Sequence, residues 1–255
     1  MSGGGGRRRG RHRLLKTLLA LLIAYLVGDA LKTRKRLAAL PVLEPTDEAA
    51  DEGHRVITAA GVRVGAATRR AASAFLRREG LAAVDLVPGD LPAEEALELA
   101  ALVDPATYRS TRLAPGRGAG RALVADAALL ERADIPATDD LDPVAFLAAE
   151  VEVKRLAPTG VDVAVAPALT THPADLDKRK AYIDALFSTA APAVHLIPAL
   201  QWAAIGAGLV VAPGWGLAAL AAYCAAPAIG TAGTSVAPSD RASRVAGREI
   251  GRAHV

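Results

Sequence analysis

Residues 185–239 contain no Asp, Glu, Lys or Arg, a run of 55 positions without a formal charge. A run that long with no charge is not a solvated surface, so it has to be withdrawn from water, into a core or into a bilayer. As continuous helix it would measure about 80 Å, enough for two crossings of a hydrocarbon layer and a turn between them. "VVAPGWG", residues 210–216, supplies the turn, because Pro213 and Gly214 interrupt a helix and Trp215 suits an interface. The run therefore predicts a transmembrane helical hairpin within residues 185–235, its helices at about 192–211 and 215–232.

A second apolar segment, "LLKTLLALLIAYLVGDAL", covers residues 14–31 and follows a flexible basic tail, "MSGGGGRRRGRHR", over residues 1–13. Eighteen helical residues reach about 27 Å, close to the hydrocarbon thickness, with Lys16 and Asp29 able to snorkel at the ends. No small-residue cleavage site follows; "KTRKR" does, which predicts an uncleaved anchor. Six Lys and Arg residues, five in the tail and Lys16 at the start of the anchor, stand on one side, while ten flank the membrane segments on the side to which the hairpin returns the chain. That bias predicts an integral protein of the cell membrane, in contact with membrane lipid, whose middle domain is cytoplasmic.

The charges are sorted along the chain. The whole carries a net +3, yet residues 37–177 hold 13 basic against 23 acidic residues. A nucleic-acid surface needs the reverse, a basic face on the folded domain, so nucleic acid is not an expected partner. The basic residues flank apolar segments instead. With one cysteine, Cys224, the chain can form no internal disulfide and no cysteine-based metal site.

Residues 37–180 read as an acidic α/β domain. "RVIT" is a short strand, "ATRRAASAFLRREG" a helix ended by glycine, "LAAVDLV" an apolar strand, and "LPAEEALELAALV" a helix opened by proline and early acids. After a turn-rich loop come "RALVADAALLERADI", a helix in "TDDLDPVAFLAAEVEVKRL", and the strand "GVDVAVAP". Such alternation predicts a mostly parallel sheet with flanking helices, a Rossmann-like layer fold.

"TDDLD" puts three carboxylates in five positions. Asp142 followed by Pro143 fits an N-cap and the first helical residue. Asp139 and Asp140 precede the cap, are not needed for it, and are the candidate catalytic residues. "RLAPGRGAGR", residues 112–121, combines arginines with glycines that free backbone N–H groups, which makes Arg112, Arg117, Gly118, Gly120 and Arg121 candidates for binding a phosphate or an acceptor. It is neither a dinucleotide fingerprint nor a P-loop. His54 and His172 are isolated and read as loop residues. His195, in the uncharged run, is a weaker candidate, and the Lys178 to Lys180 cluster suits anionic headgroups.

The order of these elements resembles the later half of membrane-bound family 2 glycosyltransferases, inverting enzymes of the GT-A fold that use nucleotide-activated sugars. That family has a glycine-containing loop with "h-R-x-x-x-L-E", a T-E-D-x-D-like motif, and "G-x-x-V-x-x-x-P". The corresponding stretches here are "GAGRALVADAALLERADI", "TDDLD" and "TGVDVAVAP", followed by "DKRKAYIDALF" where the family has a basic interfacial helix. The resemblance implies that Asp140 takes the proton of an acceptor hydroxyl, with Asp139 in place of the neighbouring Glu. It further implies a nucleotide sugar or lipid-linked acceptor as partner, and Mg or Mn as cofactor if the protein is active. No cofactor is evident from the residues themselves. Where the family's metal-binding Asp-x-Asp would align, the chain has Thr58, Ala59 and Ala60, so a degenerate or incomplete member is expected.

Two other readings stay open: the N-terminal membrane module of a longer transferase, for example a methyltransferase, and a non-catalytic membrane scaffold. The ending "EIGRAHV", residues 249–255, resembles a translated sequencing adapter, which predicts a truncated sequence and removes any role for His254.

Overall fold

The computed structural model describes residues 5–49, 52–89, 91, 96–97, 99–100, 103–110, 121–136, 140–166, 169–171 and 193–236. The chain divides into two compact units, Met1–Arg34 with Phe187–Ala232 and Lys35–Leu186 with Gly233–Val255.

The first unit is helical. Helix α1 runs Gly5–Ala38, so the tail expected to be flexible is helical from Gly5 onward. Arginine is a good helix former, and the apolar segment behind it supplies the nucleus from which the helix extends. Within it, His12–Ala38 is long and apolar enough to cross a membrane. The uncharged run forms two further helices, Ala193–Val211 and Pro213–Thr231, called α5 and α6 below. The break between them is a single residue, Ala212, and Pro213 occupies the start of the second helix rather than a loop. Proline is tolerated there because the first N–H groups of a helix have no internal acceptor. The two helices pack closely. A Cβ on Gly216 would lie 2.3 Å from the backbone nitrogen of Leu209, and the Trp202 and Tyr223 rings stand 4.9 Å apart. By length and hydropathy Leu196–Val211 is a shorter apolar helix than the first segment.

The second unit is an α/β layer. Its elements are β1 (His54–Thr58), β2 (Val62–Arg63), α2 (Ala66–Glu79), β3 (Ala83–Pro88), β4 (Ala122–Asp126), α3 (Ala127–Arg132), α4 (Pro143–Leu156), β5 (Val161–Ala166) and β6 (Thr170–Thr171). The sheet order is β1-β4-β3-β5, with β2 and β6 as a separate antiparallel pair. The sheet is mixed, which corrects the mostly parallel arrangement expected from sequence. β4 lies between β1 and β3 and runs antiparallel to both, and only β3 and β5 are parallel. Pattern could not reveal this, since a strand covered on both faces is apolar throughout whichever way it points. Every residue of β3 and β5 is buried. Their side chains, with Phe75 and Leu76 of α2 and Phe146 and Val153 of α4, belong to one core.

Local signals act where they stand. Gly80 ends α2 in the left-handed conformation, φ 63°, while the N–H of Leu81 reaches back to the carbonyl of Leu76. Asp142 caps α4, its Oδ1 accepting from the N–H groups of Val144 at 2.8 Å and Ala145 at 3.4 Å, with Pro143 as the first helical residue. In "LPAEEALELAALV" the described residues Ala96, Leu97, Leu99 and Ala100 are helical. Val42 makes a single parallel bridge to Val165 on the outer edge of β5.

Candidate functional site

β1 ends at Thr58, and the chain then turns through Ala60 and Gly61, the latter at φ 78°, into β2. This exit is stitched to the acidic segment some eighty residues later. The Leu141 N–H donates to the Thr58 carbonyl at 2.9 Å, and the Ala60 N–H donates to the Leu141 carbonyl at 2.8 Å. The Gly61 N–H donates to Asp140 Oδ1 at 3.3 Å. Asp140, exposed to solvent, thereby stands over the end of β1 with one oxygen oriented by backbone.

A cleft of about 440 Å³ opens at this point, lined by Val56, Thr58, Gly61, Val62, Arg63, Val64, Arg69 and Asp140. Val56 and Thr58 share one face of β1, two residues apart, as strand alternation requires. Thr58 is 3% exposed, and its Oγ1 has no hydrogen-bond partner among the described residues. The cleft's donor set suits a divalent cation poorly. Magnesium and manganese call for about six oxygen ligands, several of them anionic. Asp140 is the one carboxylate among the described residues of the lining, beside two guanidinium groups. Among the described residues no three His, Cys, Asp or Glu side chains come together as a metal site. The Mg or Mn that the glycosyltransferase resemblance implies therefore does not fit the described residues of this cleft.

Of the other candidates, Arg121 is interior, 4% exposed at the start of β4, and its carbonyl accepts from the Ala59 N–H at 2.9 Å. Asp139, Arg112, Arg117, Gly118 and Gly120 lie outside the described residues, as do His172, the Lys178 to Lys180 cluster and the tail at 249–255. His54, expected in a loop, begins β1, and its Nε2 stands 3.2 Å from Oδ1 of its cross-strand neighbour Asp126.

A second constellation, between sheet and helices, escaped the sequence reading. Asp85 on β3, Asp162 on β5, Glu150 and Lys154 on α4, and Tyr108 are all buried. The Tyr108 hydroxyl donates a short hydrogen bond to Asp85 Oδ2. Arg109 Nε donates to Asp162 Oδ2 at 2.6 Å, and its Nη2 donates to Glu79 Oε2 at 3.0 Å. Lys154 Nζ donates to the Val161 carbonyl at 3.2 Å and stands 5.4 Å from the centre of the Tyr108 ring. Burial, and then the negative charge of Asp85, push the Tyr108 hydroxyl well above its ordinary range. Burial pulls the Lys154 ammonium down, against the opposing pull of Asp162 and Asp85. The hydrogen bond from Arg109 holds Glu79 low. The signal that could have found this cluster is a charge inside a strand that is otherwise apolar, as in "AVDLVP" and "VDVAVA". Its chemistry reads as structural, because its groups contact one another and none of Asp85, Tyr108, Glu150, Lys154 and Asp162 lines the Asp140 cleft. Compared with known proteins, the chain matches no family model, no curated protein and no solved structure.

Proposed function

We propose that this is an integral membrane protein of the glycosyltransferase type whose α/β unit, on the cytoplasmic side, binds a sugar ligand at Asp140 but has lost sugar transfer. One observation carries this reading. The resemblance assigns the acceptor's base to Asp140 and the metal-binding acids to positions 58–60, segments distant in sequence, and the two are joined by backbone hydrogen bonds at the mouth of one cleft. Asp140, with Oδ1 held by the Gly61 N–H, presents its other oxygen to a ligand hydroxyl. In an active enzyme that carboxylate would take the hydroxyl's proton as the bond to the sugar forms. What is missing is a metal site for the departing group, since Thr58, Ala59 and Ala60 provide no metal ligand set. The helical unit supplies the membrane attachment. In α1, Leu14, Leu18 and Leu21 are exposed; in α5, Leu196, Ile197, Leu200 and Trp202 are exposed, and lipid is the solvent that suits them.

The test is calorimetric titration of the full chain, in detergent, with nucleotide sugars, with and without magnesium or manganese. Binding at millimolar concentration or better is expected, weakened by Asp140→Ala, with no sugar released or transferred. Absence of binding by every nucleotide sugar tried would end this reading.

A further inference from the structure

The cleft at the end of β1 has the composition of an anion site. Among the described residues its lining holds Arg63 and Arg69 and one carboxylate, Asp140. Arg63, on the short strand β2, is exposed and makes no ion pair among the described residues. Helix α2 starts beside the cleft, with Val64 and Arg69 on either side of its first turn both in the lining. Its N-cap is Gly65, which has no side chain to accept from the first-turn N–H groups. Those groups and the helix dipole favour a negative group at this end of a 14-residue helix. Independently of the helix, Thr58, which lines the same cleft, has a buried Oγ1 without a hydrogen-bond partner among the described residues. Buried polar atoms are almost always paired, so one without a partner among the described residues, on a residue that lines a cavity, points to a ligand atom that completes it.

We propose that this cleft holds the phosphate or diphosphate group of a ligand without a divalent metal. Arg63 and Arg69 supply the compensating charge, the first turn of α2 supplies N–H donors, and Thr58 donates its hydroxyl. Arginine suits this task because its planar fork donates two parallel hydrogen bonds to phosphate oxygens and keeps its charge at every relevant pH. Asp140, in the same cleft, faces the hydroxyl-bearing part of the same ligand; in that respect the proposal rests on the reading of Asp140 given above. The cleft's volume, about 440 Å³, lies within the range of small-molecule sites.

The experiment titrates the full chain in detergent with inorganic pyrophosphate, with UDP and with farnesyl diphosphate, each with EDTA present. Pyrophosphate is expected to bind in EDTA. Arg63→Ala should weaken it at least tenfold with an unchanged melting temperature, Arg63→Lys should restore part of the loss, and Thr58→Val should weaken it about threefold. Asp140→Asn should tighten it severalfold, because a like charge is removed. Tighter binding of UDP than of farnesyl diphosphate identifies a nucleotide as the source of the anion, and the reverse identifies a lipid. Binding that EDTA abolishes, or that Arg63→Ala leaves untouched, overturns the proposal. If nucleotide sugars bind and Arg63→Ala has no effect, the anion site fails while the glycosyltransferase-type reading survives. If pyrophosphate binds as expected and no nucleotide sugar does, the anion site stands and that reading falls.

Discussion

The two units bury opposite things. In the helical unit, among the described residues, the enclosed core is three side chains, Leu19, Ile205 and Ala219, while many large apolar residues face outward. The α/β unit hides its leucines and valines, and with them Asp85, Glu150, Lys154 and Asp162. If lipid surrounds these helices, as proposed, their association cannot rest on burying apolar surface from water. Their contact depends on close backbone approach, and Gly208 and Gly216 provide it. The sheet unit has hydrophobic area to spare and can carry buried charge, provided each charge is matched. On the proposed reading one chain follows two rules of packing, one for lipid and one for water.

The largest expected effect tests whether the helical unit meets lipid at all. Leu200 is 59% exposed on α5. Leu200→Lys should cost about 3 kcal/mol of membrane insertion if the helix crosses a bilayer, and next to nothing if it faces water. A glycosylation-mapped insertion assay separates the two, and a neutral result would break the comparison. Close approach comes next. Gly216→Ala should cost about 2 kcal/mol through the overpacking that a Cβ pressed into the Leu209 backbone imposes. Gly206→Ala, where an added Cβ meets nothing within 4 Å, is the control and should be neutral or slightly stabilising. Unfolding followed by Trp202 fluorescence reports both.

In the α/β unit, Tyr108→Phe should cost about 2 kcal/mol, because it leaves the buried Asp85 carboxylate without its hydroxyl donor. The same variant carries a pH signature. The folded state holds the Tyr108 hydroxyl protonated above its ordinary value of 10.0, so its contribution is complete below that pH and is lost as pH rises through the folded value. Thermal unfolding of the natural chain should therefore fall more steeply above pH 10 than that of the variant; parallel profiles would show that Tyr108 is not coupled to folding. The smallest effect is at the cap. Asp142→Ala should cost about 1 kcal/mol and leave ligand binding at Asp140 intact, which calorimetry and thermal unfolding together would show. If Asp142→Ala abolished binding instead, the division of labour within "TDDLD" would be wrong.

What was legible follows the range of the interaction. The Asp142 cap, the Gly80 stop and the helix break near Pro213 depend on residues within a few positions of one another, and each could be read from the chain. The direction of β4 could not be read, because side-chain burial does not encode which way a strand runs. Nor could the ion cluster, since Arg109 meets Asp162 across 53 residues. The candidate site was half legible. Asp140 stood out because the cap does not need it, whereas nothing in the sequence singled out Arg63 and Arg69, which line the same cleft beyond the turn at Gly61.

By itself, then, the sequence determined where charge is absent, where helices start and stop, and that strands and helices alternate between residues 54 and 166. Those outcomes are set by solvent and by local backbone chemistry. Only the tertiary structure decided that β4 enters the sheet backwards, that Asp85 and Asp162 meet Tyr108 and Arg109 in the interior, and that Thr58, Arg63, Arg69 and Asp140 share one cleft. Contacts between residues far apart in the chain become favourable only once the sheet has paid the entropy of bringing them together, and no local pattern records that closure.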